Sequence, residues 1–204
     1  MKIICIGRNY VAHIEELQHE KPEKPVFFMK PDTALLRNNE PFYLPAFSNN
    51  VHYETELVLR IGKMGKAISQ KFAHRYIEAI GVGFDFTARD LQNELKDKGL
   101  PWEASKAFDH SAAISPVFVP YENLKSKQDI VFSLKKNGET VQEGHSANMI
   151  FSFDEIIAYV SKFITLRTGD LIFTGTPKGV GRLEAGDLLE AYLEGEKILE
   201  TEIR

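Results

Sequence analysis

Apolar and polar positions alternate most clearly along His52-Tyr53-Glu54-Thr55-Glu56-Leu57-Val58-Leu59-Arg60-Ile61-Gly62. A period of two predicts a β-strand with Leu57, Leu59 and Ile61 on one face and Glu54, Glu56 and Val58 on the other. Apolar runs predict further buried strands at 1–7, ending in Gly7, and at 26–30, stopped by Pro31. Two more fall at 80–86, where Gly81 and Gly83 relieve crowding, and at 170–174. Residues 32–50, interrupted by Pro41 and Pro45, read mainly as loop with short extended pieces.

Helical spacing recurs at four places. Tyr10, Ile14 and Leu17 lie on one stripe of a short, polar helix within 8–20, followed by Pro22 and Pro25. Ser69 reads as the N-cap of a helix over 69–79 whose stripe is Phe72, Ala73, Tyr76, Ile77 and Ile80. A third helix spans 87–98, capped by Thr87 with Asp90 three residues on and closed by Gly99. The fourth, 152–163, starts at Ser152 with Glu155 in the capping-box position. Asn137-Gly138 between 130–135 and 139–143 is a hairpin signal, and 187–203 reads as a second hairpin around Gly195. No repeat or long linker divides the chain, so the expectation is a single α+β domain over 1–204, dominated by strands.

Composition narrows the function classes. The 204 residues are 43% hydrophobic and carry a net charge of −4, with no cluster of Lys and Arg, which argues against a nucleic-acid partner. Fourteen Phe and seven Tyr suggest a ring-rich core. Cys5, the single cysteine, lies in an apolar run and reads as a packing residue, so no disulfide framework exists. The N-terminal apolar run is too short for a signal peptide and nothing reaches the length of a membrane span, so a soluble protein of the cytoplasm is expected.

Candidate chemistry begins with Glu54 and Glu56, two carboxylates pointing the same way from one strand. They are either a solvated strand face or two ligands of a hard divalent cation. Asp85, at the end of an apolar strand, is either a turn or capping device or a third such ligand. His13 and Glu16, three apart on the first helix, are either a solvated surface or a general base with its orienting carboxylate. His110 and His145 read as local hydrogen-bonding residues. The loop 175–181 lacks the Gly-Lys-Ser/Thr order of a P-loop, although its backbone N–H groups could hold a substrate carboxylate. Gly-x-Ser-x-Gly does not occur.

Several segments together resemble the fumarylacetoacetate hydrolase family, in particular its small acylpyruvate hydrolase members. They are Gly7-Arg8-Asn9-Tyr10-x-x-His13-x-x-Glu16, Phe28-Met29-Lys30-Pro31, His52-Tyr53-Glu54-Thr55-Glu56-Leu57 and Asp85-Phe86-Thr87-Ala88-Arg89-Asp90-Leu91-Gln92. Lys98-Gly99-Leu100-Pro101-Trp102, Lys106-Ala107-Phe108, Met149-Ile150-Phe151 and Thr174-Gly175-Thr176-Pro177-Lys178-Gly179-Val180-Gly181 follow in family order.

The resemblance implies a mixed β-roll with peripheral helices, usually paired as a homodimer, with a lid helix at about 10–20 in the N-terminal segment 1–50. It implies Glu54, Glu56 and Asp85 as ligands of Mg²⁺ or Mn²⁺. His13, Glu16 and Lys106 would be catalytic, and Arg8, Lys30, Arg89, Gln92 and Thr176 would hold substrate. The implied activity is metal-dependent hydrolysis of the carbon–carbon bond of acylpyruvates. Oxaloacetate decarboxylation, or isomerisation and decarboxylation of 2-hydroxyhepta-2,4-diene-1,7-dioate, are alternatives on the same scaffold. A non-catalytic oxo-acid-binding module is a further one. Segment 18–25 and the stretch 142–148, read as a hairpin tip, are expected to vary and to tune the substrate.

Overall fold

The computed structural model describes residues 1–11 and 21–204. Its organising element is an eight-stranded mixed sheet. Seven strands run β2 (Val26–Lys30), β1 (Ile3–Gly7), β12 (Leu171–Phe173), β5 (Thr55–Ile61), β6 (Ile77–Asp85), β8 (Ala112–Ile114) and β3 (Leu35–Leu36), and β9 (Val119–Pro120) pairs off this path with β6. The pairs β1/β12 and β3/β8 are parallel and the others antiparallel. A second sheet orders β11 (Glu139–His145), β10 (Val131–Lys136), β14 (Leu188–Leu193) and β15 (Glu196–Glu202). A small third sheet joins β13 (Gly181–Arg182), β4 (Val51–Tyr53) and β7 (Thr87–Ala88).

The central strand β5 is buried on both sides. Leu57, Leu59 and Ile61 enter the main core with Ile80, Val82 and Phe84, whereas Val58 enters a smaller core with Ile3, Cys5, Leu171 and Phe173. The alternation read from the sequence therefore sorts this strand between two cores. Each fully buried Leu or Ile contributes about 1.5–3 kcal/mol relative to exposure. Gly83 lies opposite Glu56, and a Cβ there would fall 2.7 Å from the Ala113 carbonyl and from the Phe173 ring.

Both predicted hairpins form. Asn137 and Gly138 take positive φ values of 53° and 85°, as do Glu194 and Gly195 at 51° and 85°. Helix α3 (Phe153–Phe163) carries the full capping box between Ser152 and Glu155. Helix α1 (Arg89–Asp97) ends as expected at Gly99, φ 63°, with Leu100 N–H bonded to the Leu95 carbonyl.

Four readings are corrected. Residues Gln70–Tyr76 form a 3-10 helix and not an α-helix, and Phe72 is exposed. Pairing of Ile77 with Ile61 starts β6 there and draws Ile77 and Ile80 out of the helical stripe. Thr87 does not cap α1, because Thr87–Ala88 pair with β4 and the helix begins at Arg89. Asp90 instead accepts from Ser48 Oγ at 2.6 Å and Asn49 N–H at 2.9 Å, and these bonds outweigh its burial and hold its carboxyl below the ordinary range. The stretch 142–148 is not a hairpin tip: it begins inside β11, and Gln142 is buried. The predicted helix at 8–20 does not include its first residues. Arg8 has φ 60° and Tyr10 bridges to Met149, while residues 12–20 lie outside the described ones.

Asn9 ties three segments together behind the site. Its side-chain amide donates to the Thr174 carbonyl at 2.8 Å and the Phe151 carbonyl at 3.1 Å, and its oxygen accepts from Phe151 N–H at 2.8 Å. Asn9→Ala is expected to cost about 3 kcal/mol in chemical denaturation, because it leaves these backbone groups without partners. A loss under about 1 kcal/mol would mean that water replaces the amide without penalty.

Candidate metal centre and active site

Strand β5 and its neighbour β6 place three carboxylates together. Glu54 precedes β5 and Glu56 lies two residues on, so both side chains leave the same face. Antiparallel register pairs Thr55 with Phe84 and Glu56 with Gly83, and Asp85 N–H donates to the Glu54 carbonyl at 2.8 Å. Asp85 therefore stands across from Glu54 on that face. The three side chains are buried, and one oxygen from each lies within 4.8 Å of the others. The solvated-face reading of Glu54 and Glu56 and the capping reading of Asp85 are both set aside by this placement.

Burial above all, and then the charges of Asp85 and Glu54, push the Glu56 carboxyl well above the usual carboxylate range, against the opposing pull of Lys106 and of Gly175 N–H. Such a set, made only of hard oxygen donors and short of positive charge at Glu56, fits a divalent cation.

Cations already surround two of the three carboxylates. Lys106, on the short helix α2 (Glu103–Lys106), places Nζ 2.8 Å from Glu54 Oε2 and 2.7 Å from Asp85 Oδ2. Burial disfavours its ammonium, but Asp85 and Glu54 outweigh burial and raise its pKa. Arg89 pairs with Glu54 Oε1 and donates to Gln92 Oε1 at 2.6 Å, which locks two neighbours on one face of α1. Gly175 N–H donates to Glu56 Oε2 at 2.7 Å, and the positive φ of Gly175, 102°, permits that approach.

Lys30 stands at the floor of the site, behind Asp85. Its Nζ lies 2.7 Å from Asp85 Oδ1 and bonds to Ser111 Oγ and the Ser111 and Lys106 carbonyls. It backs Asp85 from the interior and is not among the residues lining the cavity. Arg8, Arg89, Gln92, Lys106 and Thr176 do line it, with the three carboxylates. His13 and Glu16 lie outside the described residues.

Two residues of the site escaped the sequence reading. Gln142 accepts from Thr55 N–H at 3.0 Å and donates to Thr176 Oγ1 at 2.9 Å and the Pro177 carbonyl at 3.0 Å, so it joins the carboxylate strand to the 175–181 loop. Nothing in its local sequence marks it, since all three partners are distant in the chain. Lys96 also lines the cavity, one turn beyond Gln92. Its i, i+7 spacing from Arg89 was a legible signal. Partial burial, followed by Arg89 and, more weakly, Arg8 and Lys106, pulls its ammonium down to about 8 despite Glu54.

The family profile described as "Fumarylacetoacetate (FAA) hydrolase C-terminal" matches residues 2–204. The chain is 45% identical to mitochondrial oxaloacetate tautomerase of Bos taurus, over 95% of this chain and 87% of that one. It is 41% identical to oxaloacetate tautomerase of Escherichia coli, over 97% and 90%. The crystal structure of fumarylpyruvate hydrolase from Pseudomonas aeruginosa in complex with Mn²⁺ and pyruvate superposes with a TM-score of 0.94 at 38% identity, covering 100% of this chain and 89% of that one. This chain belongs to the fumarylacetoacetate hydrolase family, and its strand-dominated mixed sheet is that family's fold.

Proposed function

We propose that this member of the fumarylacetoacetate hydrolase family is a metal-dependent hydrolase of acylpyruvates, splitting a 2,4-dioxo acid into pyruvate and a carboxylic acid. The observation that carries the reading is the buried carboxylate triad with Lys106 Nζ lodged against it, within 2.8 Å of Glu54 and Asp85. Glu54, Glu56 and Asp85 would hold Mg²⁺ or Mn²⁺, which when bound polarises the oxygens of a 2-oxo acid.

The chain's own residues account for the rest. The Lys106 ammonium stabilises the negative charge that develops on the 2-oxygen as the carbon–carbon bond breaks. Arg89 and Gln92, already fixed to one another, and Thr176, held by Gln142, present donors to the substrate's oxygens. His13, oriented by Glu16, takes a proton from the water that attacks the distal carbonyl. The electron pair of the broken bond passes to carbon 3 of the pyruvate enolate, which then takes up a proton.

A second reading, tautomerisation of oxaloacetate, is supported by the 45% and 41% identities to two oxaloacetate tautomerases. It uses the same enolate stabilisation and moves a proton between carbon 3 and the 2-oxygen with no attacking water. Decarboxylation, named in the sequence reading, would share that enolate too. We further infer a single catalytic domain over 1–204 that works as a cytoplasmic homodimer. Among the described residues no helix is long and apolar enough to cross a membrane.

Pyruvate release from acetylpyruvate, coupled to NADH oxidation, tests the hydrolase. Turnover is expected with Mn²⁺ or Mg²⁺, its loss in a chelator and its return on adding metal back; full activity in metal-depleted protein overturns the reading. His13→Ala is expected to slow hydrolysis by about a hundredfold while sparing oxaloacetate tautomerisation. Equal losses on both would remove the water-activating role.

A further inference from the structure

Six cations that the sequence scatters are gathered by the fold at one end of the molecule. Residues 62–76 carry Lys63, Lys66, Lys71 and Arg75, and residues 156–169 carry Lys162 and Arg167. Neither segment holds an Asp or Glu, although the chain has 29 acidic residues against 25 Lys and Arg. Contacts stitch the two segments together. Gly65 bridges to Leu166, Ala67 N–H donates to the Ser161 carbonyl at 2.8 Å, and Lys66 Nζ donates to the Phe163 carbonyl at 2.8 Å. The 3-10 helix Gln70–Tyr76 then runs back along α3, so that His74 Nδ1 lies 3.8 Å from Asp154 Oδ2 near the start of α3.

All six cations are exposed. The acids that border the strip have partners of their own. Glu78 pairs with Arg60 at 3.0 Å, Asp170 with Lys2 at 2.6 Å, and Glu155 closes the capping box with Ser152, while the partly buried Asp154 faces His74.

Three large apolar side chains stand among these cations: Met64 is 70% exposed, Phe163 58% and Phe72 41%. The Phe72 ring centroid lies 5.6 Å from Lys71 Nζ and 4.8 Å from Arg75 Cζ. The turn that raises Met64 is pinned, because Gly65 has no room for a side chain against Tyr76 and Ile68, and Ala67 holds φ 48°. Exposed apolar groups rimmed by charge mark a surface that meets a partner.

The chemistry of the strip selects that partner. A bilayer with anionic headgroups neutralises the cations and takes Met64, Phe72 and Phe163 into its interfacial layer. Nucleic acid would meet the cations through its phosphates and leave the three apolar side chains in water. A second copy presenting the same strip would set six cations against six. Four of the six are Lys, the cation that protein–protein interfaces are depleted in.

We propose that this strip docks the protein onto an anionic lipid surface, lying on the bilayer without crossing it. The six cations meet the headgroups, and Met64, Phe72 and Phe163 reach beneath them. Docking leaves the carboxylate triad clear, since Gly62 follows the end of β5 and stands eight residues from Glu54, about 26 Å of extended chain.

Co-sedimentation of the full chain with vesicles tests the proposal. The protein is expected to bind phosphatidylcholine vesicles containing roughly a third phosphatidylglycerol, to ignore pure phosphatidylcholine, and to be released as salt rises to about 0.5 M. Lys71→Glu with Arg167→Glu should weaken partition about 25-fold or more, each cation near such a surface being worth about fivefold. Met64→Ser with Phe163→Ser leaves the charge unchanged and should weaken it about tenfold or more. Lys197→Glu with Arg204→Glu, the same charge change placed away from the strip, should barely alter it. Thermal melts show that each variant is folded, and the lipid and salt dependence of the unaltered chain stands without any variant. No binding to the anionic vesicles, equal binding to neutral ones, or equal losses in the two charge-reversed pairs overturns the proposal. Tighter binding to a homopolymeric RNA than to vesicles, or dissociation of a dimer by Phe163→Ser in sedimentation velocity, overturns it in favour of nucleic acid or of a second copy.

Discussion

Glu56→Gln is expected to lower kcat/KM by about a thousandfold or more, while leaving the metal-free protein as stable as before or more so. The two effects share one cause. Glu56 is buried beside Asp85 and Glu54, and its carboxyl is held well above the ordinary carboxylate range, first by burial and then by those charges. A glutamine keeps an oxygen for Gly175 N–H, now 2.7 Å from Glu56 Oε2, but it brings no charge to a cation. The stabilisation conferred by metal, about 2.7 kcal/mol at a concentration 100 times Kd, should disappear with it.

The pH dependence follows from the direction of that shift. In the metal-free native state Glu56 retains a proton that the unfolded chain has released. The contribution of Glu56 to stability is therefore greatest below the unfolded carboxylate range and declines as pH rises through the raised native value. Metal and proton compete for the same carboxylate, so the increment in Tm produced by Mn²⁺ should grow with pH over that same range. Thermal melts with and without chelator, across about pH 5 to 8, measure both slopes. A metal increment that is flat with pH, or that survives Glu56→Gln, would remove Glu56 from the ligand set.

Lys106→Met should have the other large effect, and it too has a stability component. The side chain lies within 2.8 Å of both Glu54 and Asp85. Removing one partner of a buried charge cluster typically costs about 3–5 kcal/mol, because the remaining charges stay desolvated and uncompensated. Bound metal supplies positive charge to the same carboxylates. The destabilisation should consequently be large in chelator and much smaller in saturating Mn²⁺. Catalysis should still fall by about a hundred- to a thousandfold with metal bound, the usual loss when one preorganised donor to a developing oxyanion is removed. Paired melts and initial rates on acetylpyruvate separate the two. Near-normal kcat in the metal-loaded variant would confine Lys106 to a structural role.

The site was legible in the sequence where it is local. A period of two placed Glu54 and Glu56 on one face, and the Asn137-Gly138 and Ser152/Glu155 signals located a hairpin and a helix where both occur. Local rules misread Gln70–Tyr76 and Thr87, where strand pairing overrode helical spacing and a capping pattern. Lys30 matched a family position, but its role as the interior partner of Asp85 needed the packing of β2 against the sheet. Gln142 carried no signal, since it bonds residues 87 and 34 positions away.

By itself, then, the sequence determined which side chains leave a common face, how charge balances over the chain and, through ordered motifs, the family. It could not decide whether two carboxylates on a strand face water or a cation, because periodicity is identical in both cases. That was decided by the register of β5 against β6, which set Asp85 across from Glu54, and by the second core, which closed that face from solvent. Burial is what turns three carboxylates from a hydrated surface into a site short of positive charge, and burial is a property of long-range pairing alone.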